Sequence, residues 1–290
     1  MIAKAKFDGL INLSHFFNTH PLSRHAPWKA WARFVSWQIR AYCHEELIVP
    51  WIGGRLLAVR RGMTGATGNI YVGLHEFSDM MLMLHFLREN DIFVDVGANV
   101  GSYTVLASGV VGARTWAFEP DAQNAQYLRR NIAINDLECH VTVHNCAVGA
   151  IRGEVPFTTG LDTMNRVSTD DSGNTRMVRQ ERLDAILVGI APMMLKIDVE
   201  GYEEEVLRGA SKVFENTCLK VVQLETVSTG SEQLLSSNGF ERAYYDPFNR
   251  MLEREPVPLK SSNSLFVKDW HFVHQRVTQA RAIEVLGHTI

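Results

Sequence analysis

The sequence predicts an α/β fold: a doubly wound, mostly parallel sheet preceded by a helical N-terminal extension. Two observations predict it. From residue 91 to residue 267, short runs rich in Val, Ile and Phe alternate with longer stretches of helical periodicity. That is the pattern of strands joined by crossover helices. The first such run, residues 92–96, breaks into Gly97-Ala98-Asn99-Val100-Gly101 before an apolar pattern resumes. A strand, a glycine turn and a helix in that order place a ligand crevice beyond the strand's C-terminal end.

Residues 1–66 read as the helical extension. Pro27 suits a first helical turn, where its missing N–H costs nothing, so a helix is expected over 27–43. Trp28, Trp31, Val35 and Ile39 recur there at helical spacing, with Lys29, Arg33 and Arg40 between them. This is the pattern of a helix packed on the main domain. Tryptophan with basic flanks also suits a membrane surface, so peripheral membrane contact through this helix is a second reading. Residues 61–75 are glycine-rich and read as loop and short strand, and 77–87 as helix.

The main domain, 67–270, follows. Strands are expected at 92–96, 115–118, 141–148, 193–198, 220–225, 240–246 and 264–267. Helices are expected at 103–111, 122–134, 202–213 and 231–238, with a helical turn at 184–187. Residues 153–157 read as a short hairpin and 159–175 as a polar loop. The last segment, 271–290, reads as a C-terminal helix.

The bulk numbers fit this. The 290 residues are 46% hydrophobic and 21% charged, with a net charge of -3, which excludes wholesale disorder. No apolar run approaches the roughly 20 residues of a spanning helix, and the N-terminus lacks the features of a secretion signal. Cys43, Cys139, Cys146 and Cys218 have the spacing of neither a zinc site nor a disulfide framework, so a cytoplasmic, reducing setting is expected. Residues 1–66 carry nine basic and three acidic side chains, +6, which leaves -9 for the remainder. The excess suits an anionic acceptor or work near a membrane. The acidic remainder argues against a nucleic-acid substrate. Oligomeric state has no signature here.

The turn after the first strand carries the chemistry. Glycines let the backbone approach a ligand, and the following helix N-terminus favours negative charge. A nicotinamide dinucleotide normally requires G-x-G-x-x-G around its pyrophosphate. Here the spacing is G-x-x-x-G, with Asp95 just before it. A carboxylate repels a pyrophosphate and attracts a sulfonium or an amino-acid head. Glu119, 24 residues on, ends the second strand, where an acid accepts bonds from ribose hydroxyls. Each residue alone has a structural explanation, as a cap or a strand end. As an ordered set they favour S-adenosylmethionine.

A second cluster lies in MMLKIDVEGYEEEVLRGA, residues 193–210. If the strand continues to residue 200, Lys196, Asp198 and Glu200 alternate onto one side of it, and Glu225 ends the next. A charge inside a central strand is expensive unless paired, so Lys196 is expected to neutralise one of the acids. Asp198 or Glu200 is the expected general base for an alcohol. A divalent metal held by Asp198, Glu200 and Glu225 is the alternative. His75 and His144 are weaker candidates.

The segments FVDVGANVGSYT, AFEPDAQNAQYLRRNIAIN, HNCAVG, LKIDVEGYEEEVLRGA and SSNSLFVK run in order over roughly residues 70–268. In them the chain resembles the FkbM family of S-adenosylmethionine-dependent O-methyltransferases. Asn90 departs from the family, which is expected to carry glycine there. The resemblance implies a seven-stranded Rossmann-like methyltransferase sheet whose last strand is antiparallel. It implies that Gly97, Ala98, Asn99, Gly101 and Tyr103 flank the methionine end of the cofactor, with Asp95 and Asp198 nearby. Glu119 and Pro120 would lie at the ribose and Asn145, Cys146 and Ala147 near adenine. The implied acceptor is a hydroxyl of a sugar, glycolipid or natural product. The rival readings are a nicotinamide-dependent oxidoreductase and a non-catalytic cofactor-binding or scaffold protein.

Overall fold

A computed structural model describes residues 2–158, 166–167, 174–254 and 263–290, with side chains from residue 9 onward. The expected polar loop at 159–175 therefore lies mostly outside the described residues. The chain divides into two compact units, Met1–Phe77 with Ala282–Ile290, and Ser78–Arg281. These divisions fall at 77/78 and 281/282, beyond the expected boundaries at 66/67 and 270/271.

The first unit holds helices α1 (Ile2–Thr19), α2 (Pro27–Cys43) and α3 (Thr64–Val72), with an antiparallel hairpin of β1 (Leu47–Pro50) and β2 (Leu56–Val59). Its core is aromatic. Phe17 meets Trp31 and Tyr71 edge-on, and Phe34 meets Tyr71 at 5.3 Å between ring centroids. Helix α3 replaces the loop and short strand expected at 61–75. One of its glycines serves packing: a Cβ on Gly68 would overlap the His75 ring. The last residues form a two-stranded hairpin, Glu284–Val285 with His288–Thr289, where a helix was expected through 290.

The second unit opens with most of α4 (Phe77–Phe86) and proceeds through β3 (Ile92–Val96), α5 (Ser102–Val105), β4 (Arg114–Phe118), α6 (Ala122–Ala133) and β5 (Val141–His144). Helix α5 continues as a π-helical turn, Leu106–Val111. Then come β6 (Ala147–Val148), β7 (Gly153–Thr158), β8 (Thr175–Glu181), α7 (Leu183–Ile186), β9 (Met194–Ile197), α8 (Glu203–Arg208), α9 (Ser211–Glu215) and β10 (Val221–Leu224). The unit ends with α10 (Thr229–Ser237), β11 (Glu241–Asp246), β12 (Met251–Arg254), β13 (Ser264–Val267) and α11 (Trp270–Thr278).

The main sheet has the order β12-β11-β13-β10-β9-β3-β4-β5. Strands β5, β4, β3, β9 and β10 are parallel, and β13 runs antiparallel between β10 and β11. This is the expected α/β sheet with its antiparallel last strand. An eighth strand, β12, adds a hairpin to one edge. Strand order reverses between β3 and β9, which puts the crevice at their C-terminal ends.

One face of the central strands is apolar. Val94, Val96, Leu195, Ile197, Val222 and Leu224 pack with Val206, Leu207 and Leu235. On the other face Asp95, Lys196 and Gln223 stand side by side in register on β3, β9 and β10. Helix termini are capped as their chemistry dictates. Asp121 accepts from the N–H groups of Gln123 and Asn124, and Ser228 forms a capping box with Ser231. Asn90, in place of glycine, adopts the left-handed conformation (φ 67°) that asparagine tolerates.

Two expected elements are broken, both by close contacts. The strand over 141–148 leaves the main sheet after His144, where the Asn145 amide donates to the Glu119 and Pro120 carbonyls. Strand β6 then joins a small sheet with β8 and β7. The helix over 202–213 is interrupted between α8 and α9, where Gly209 lies against the Gly149 carbonyl with no room for a Cβ. Gly209→Ala should therefore lower stability by more than about 2 kcal/mol. Gly153→Ala, whose Cβ meets nothing, should stay within about 0.5 kcal/mol. Denaturant unfolding of both variants checks the contrast, and equal losses would contradict it.

Candidate active site

The β3–α5 turn is built from backbone conformations that ordinary residues avoid. Gly97 (φ 81°), Asn99 (φ 51°) and Gly101 (φ 92°) are all left-handed. A Cβ on Gly97 would overlap the Asp198 carbonyl, and one on Gly101 would crowd Leu128. The glycines are therefore required by the turn's own packing against β9 and α6. The N–H groups of Gly97 and Ala98 both donate to the Phe118 carbonyl at 3.0 Å, which ties the turn to the end of β4.

Glu119 sits beside this turn, buried. Its Oε2 accepts from the Asn99 N–H and its Oε1 from the Asp121 N–H, both at 2.8 Å. Burial pushes its pKa up to about 8, opposed by those two hydrogen bonds and reinforced by Asp121 and Asp95. Arg176 donates to the Asp121 carboxylate at 3.0 Å. Pro120 is half-buried and Asn145 exposed. Cys146 lies in the main core with Val148 and Leu183, and Ala147 packs with Phe157 and Val178. Burial raises the Cys146 thiol to about 11. All four cysteines are free thiols.

Asp95 is wholly buried, one position back from the strand end, and accepts the Thr104 hydroxyl at 2.7 Å. In register with it, Lys196 is 2% exposed. Its ammonium pairs with Asp198 at 2.6 Å and lies 4.6 Å from the centroid of the buried Tyr103 ring. Lys196 does neutralise one of the acids, as its position predicts.

Beyond β9 the chain turns through two left-handed residues, Glu200 (φ 54°) and Gly201 (φ 93°). A glutamate in that conformation is strained, and such strain concentrates at functional sites. The turn delivers Glu200 next to Glu225: the Glu200 N–H donates to Glu225 Oε2 at 3.3 Å. Burial raises Glu225 to about 8, with the adjacent Asp198 carboxylate, to which it is hydrogen bonded, and then Glu200 and Glu203 adding to the shift. Glu200 is raised by burial, Asp198 and Glu203, and Arg166 opposes the rise. The structure thus brings Lys196, Asp198, Glu200 and Glu225 together.

Among the described residues no group of three or more His, Cys, Asp or Glu side chains is arranged to hold a metal ion. Asp198, Glu200 and Glu225, the ligand set of the metal alternative, are not such a group; Glu225 is instead hydrogen bonded to Asp198. His144 stacks on Phe118 at 4.8 Å, away from the cluster, and His75 belongs to the first unit.

Sequence reasoning missed Thr104, Asp79 and Glu203. Gln223 Nε2 donates to Asp79 at 3.4 Å, and Glu203 is buried and accepts the Gly201 N–H. Asp79 had a signal, as the lone acid in the apolar FSDMMLMLHF. Glu203, one of three consecutive glutamates, had none.

This crevice lies at the switch point of a doubly wound sheet, where such folds bind their ligands. The family described as "Methyltransferase FkbM domain" matches residues 95–253, more than half of the chain. The chain therefore belongs to the FkbM methyltransferase-domain family. It is 26% identical over 146 residues to hexuronic acid methyltransferase AglP of Haloferax volcanii, covering 49% of this chain and 59% of AglP. It is 25% identical over 205 residues to methyltransferase sdnD of Sordaria araneosa, covering 57% of this chain and 79% of sdnD. The chain thus spans less than two thirds of AglP's length. Precorrin-6y C5,15-methyltransferase from Geobacter metallireducens superposes with a TM-score of 0.39 at 17% identity, over 73% of this chain and 91% of that one.

Glu225 holds its proton more tightly folded than unfolded. Its contribution to stability is complete below the ordinary carboxyl range near 4.5 and is lost as pH rises through about 8. Glu225→Gln, neutral throughout, should gain stability relative to the wild type across that window. Parallel melting-temperature profiles for the two proteins would contradict this.

Proposed function

We propose that this methyltransferase uses S-adenosylmethionine and methylates a hydroxyl of a sugar, glycolipid or natural product. The observation that carries the reading is the concentration of carboxyl groups at the ends of β3, β4, β9 and β10, with Lys196 buried among them. Such a site disfavours a pyrophosphate and suits a cationic ligand. The donor set fits the cofactor. Each Glu119 oxygen accepts one backbone N–H and keeps a lone pair for a ribose hydroxyl. Gly97, Asn99 and Gly101 would flank the methionine end, with Asn145 beside the base. The hydroxyl acceptor is supported by the resemblance to a family of O-methyltransferases, and a sugar by the likeness to a hexuronic acid methyltransferase.

The cofactor would supply an electrophilic methyl group on a sulfonium. The chain's residues would position the acceptor and take up its proton, since an alcohol is a weak nucleophile at neutral pH. Asp198 is engaged by both Lys196 and Glu225, which suits it to fix the site's charge. Glu200, made more basic by burial and its acidic neighbours, is the better general base. Lys196 holds Asp198 in place, and Glu225 is hydrogen bonded to it.

Calorimetry should show binding of S-adenosylhomocysteine and none of NAD; the reverse would sink the cofactor assignment. A methyl-transfer screen over glycans and glycolipids, read by mass spectrometry, identifies the acceptor. With that acceptor, Glu200→Gln should lower kcat by roughly 100-fold or more while S-adenosylhomocysteine affinity stays near wild type. Full turnover in this variant would remove Glu200 as the base.

A further inference from the structure

Helix α2 has two faces with different tasks. Ala30, Trp37 and Ala41 are buried, and Phe34 meets the rings of Phe17 and Tyr71. Arg33, expected among the basic flank, instead turns inward and donates to the Tyr71 carbonyl at 2.6 Å. The opposite face is apolar and open. Trp28 is 67% exposed, Val35 49%, Ile39 65% and Tyr42 79%. Their spacing places them on one stripe about 21 Å long. Scattered exposed apolar residues are ordinary, but a continuous stripe of large ones marks an interaction surface.

The charges beside the stripe indicate what covers it. The Lys29 ammonium lies 5.7 Å from the Trp28 ring centroid, and the Arg61 guanidinium 5.0 Å from that of Tyr42. Arg40 is exposed in the last turn. No acid occurs within α2, and Glu45 and Glu46 come only after its end. Trp and Tyr at the two ends of an apolar stripe, each with a cation at its ring, match the headgroup level of a bilayer. A second copy of this chain is disfavoured, because an isologous contact would bring the same cations from both partners with no acid from either helix. Among the described residues no helix is long and apolar enough to cross a membrane, so the contact lies in the interface plane.

We infer that the outer face of α2 docks the protein on an anionic lipid surface, with Trp28, Val35, Ile39 and Tyr42 entering the headgroup layer and Lys29, Arg40 and Arg61 meeting lipid phosphates. This does not depend on the identity of the methyl acceptor.

Co-sedimentation of the full chain with vesicles of phosphatidylcholine, with and without phosphatidylserine, tests it. The wild type should pellet with the phosphatidylserine vesicles and be released by salt. Trp28→Glu with Ile39→Glu should weaken binding at least about tenfold and leave the melting temperature unchanged, since both side chains are exposed. Lys29→Glu with Arg40→Glu should abolish the preference for phosphatidylserine, an independent readout that leaves the apolar stripe intact. The inference is overturned if the wild type pellets with neither vesicle, or if both variants bind as it does. It is also overturned if light scattering shows a wild-type dimer that Trp28→Glu with Ile39→Glu dissociates, which would assign the face to a second copy.

Discussion

An ammonium group in the middle of a parallel sheet is the constraint around which the second unit is arranged. Taking Lys196 out of water costs several kcal/mol unless its charge is answered locally. The answer comes from its own strand, through Asp198 at 2.6 Å, and from the Tyr103 ring above it. Asp95 and Gln223, on either side, are tied to the covering helices: Thr104 of α5 bonds Asp95 and Asp79 of α4 bonds Gln223. A polar row therefore sets where α4 and α5 lie, while the reverse face of the same strands is an ordinary apolar core.

The acid cluster follows from that arrangement. Burial, with Asp198 held beside it by Lys196, raises Glu225 to about 8. Glu200 reaches the same place only because the chain accepts a left-handed glutamate. The two non-glycine residues with this backbone nearest the crevice, Asn99 and Glu200, follow β3 and β9, the strands on either side of the switch point. Strain is thus spent where the crevice is made.

Much of this was legible in the sequence because it depends on local order. Lys196 on a central strand, the spacing of Gly97 and Gly101, and Glu119 at a strand end all follow from the period of a strand and the demands of a turn, whereas β9 ends at Ile197 and Glu200 is delivered by the left-handed turn beyond it. What escaped depends on contacts between distant segments. Helix α3 is hidden in the sequence because glycine ordinarily breaks helices, whereas Gly68 here admits the His75 ring. The break between α8 and α9 needs the Gly149 carbonyl, and the departure of β6 needs the Asn145 side chain. The inward turn of Arg33 depends on a carbonyl 38 residues away. Periodicity carries no information about any of these.

The two hydrogen bonds to Glu119 have an evolutionary consequence. One carboxyl group fastens the loop after β3 and also the start of α6. A shorter acid at this position would release both segments at once, and no single compensating substitution could restore two attachments. Diversification within such a scaffold is therefore steered away from this position and towards side chains that fasten no second segment.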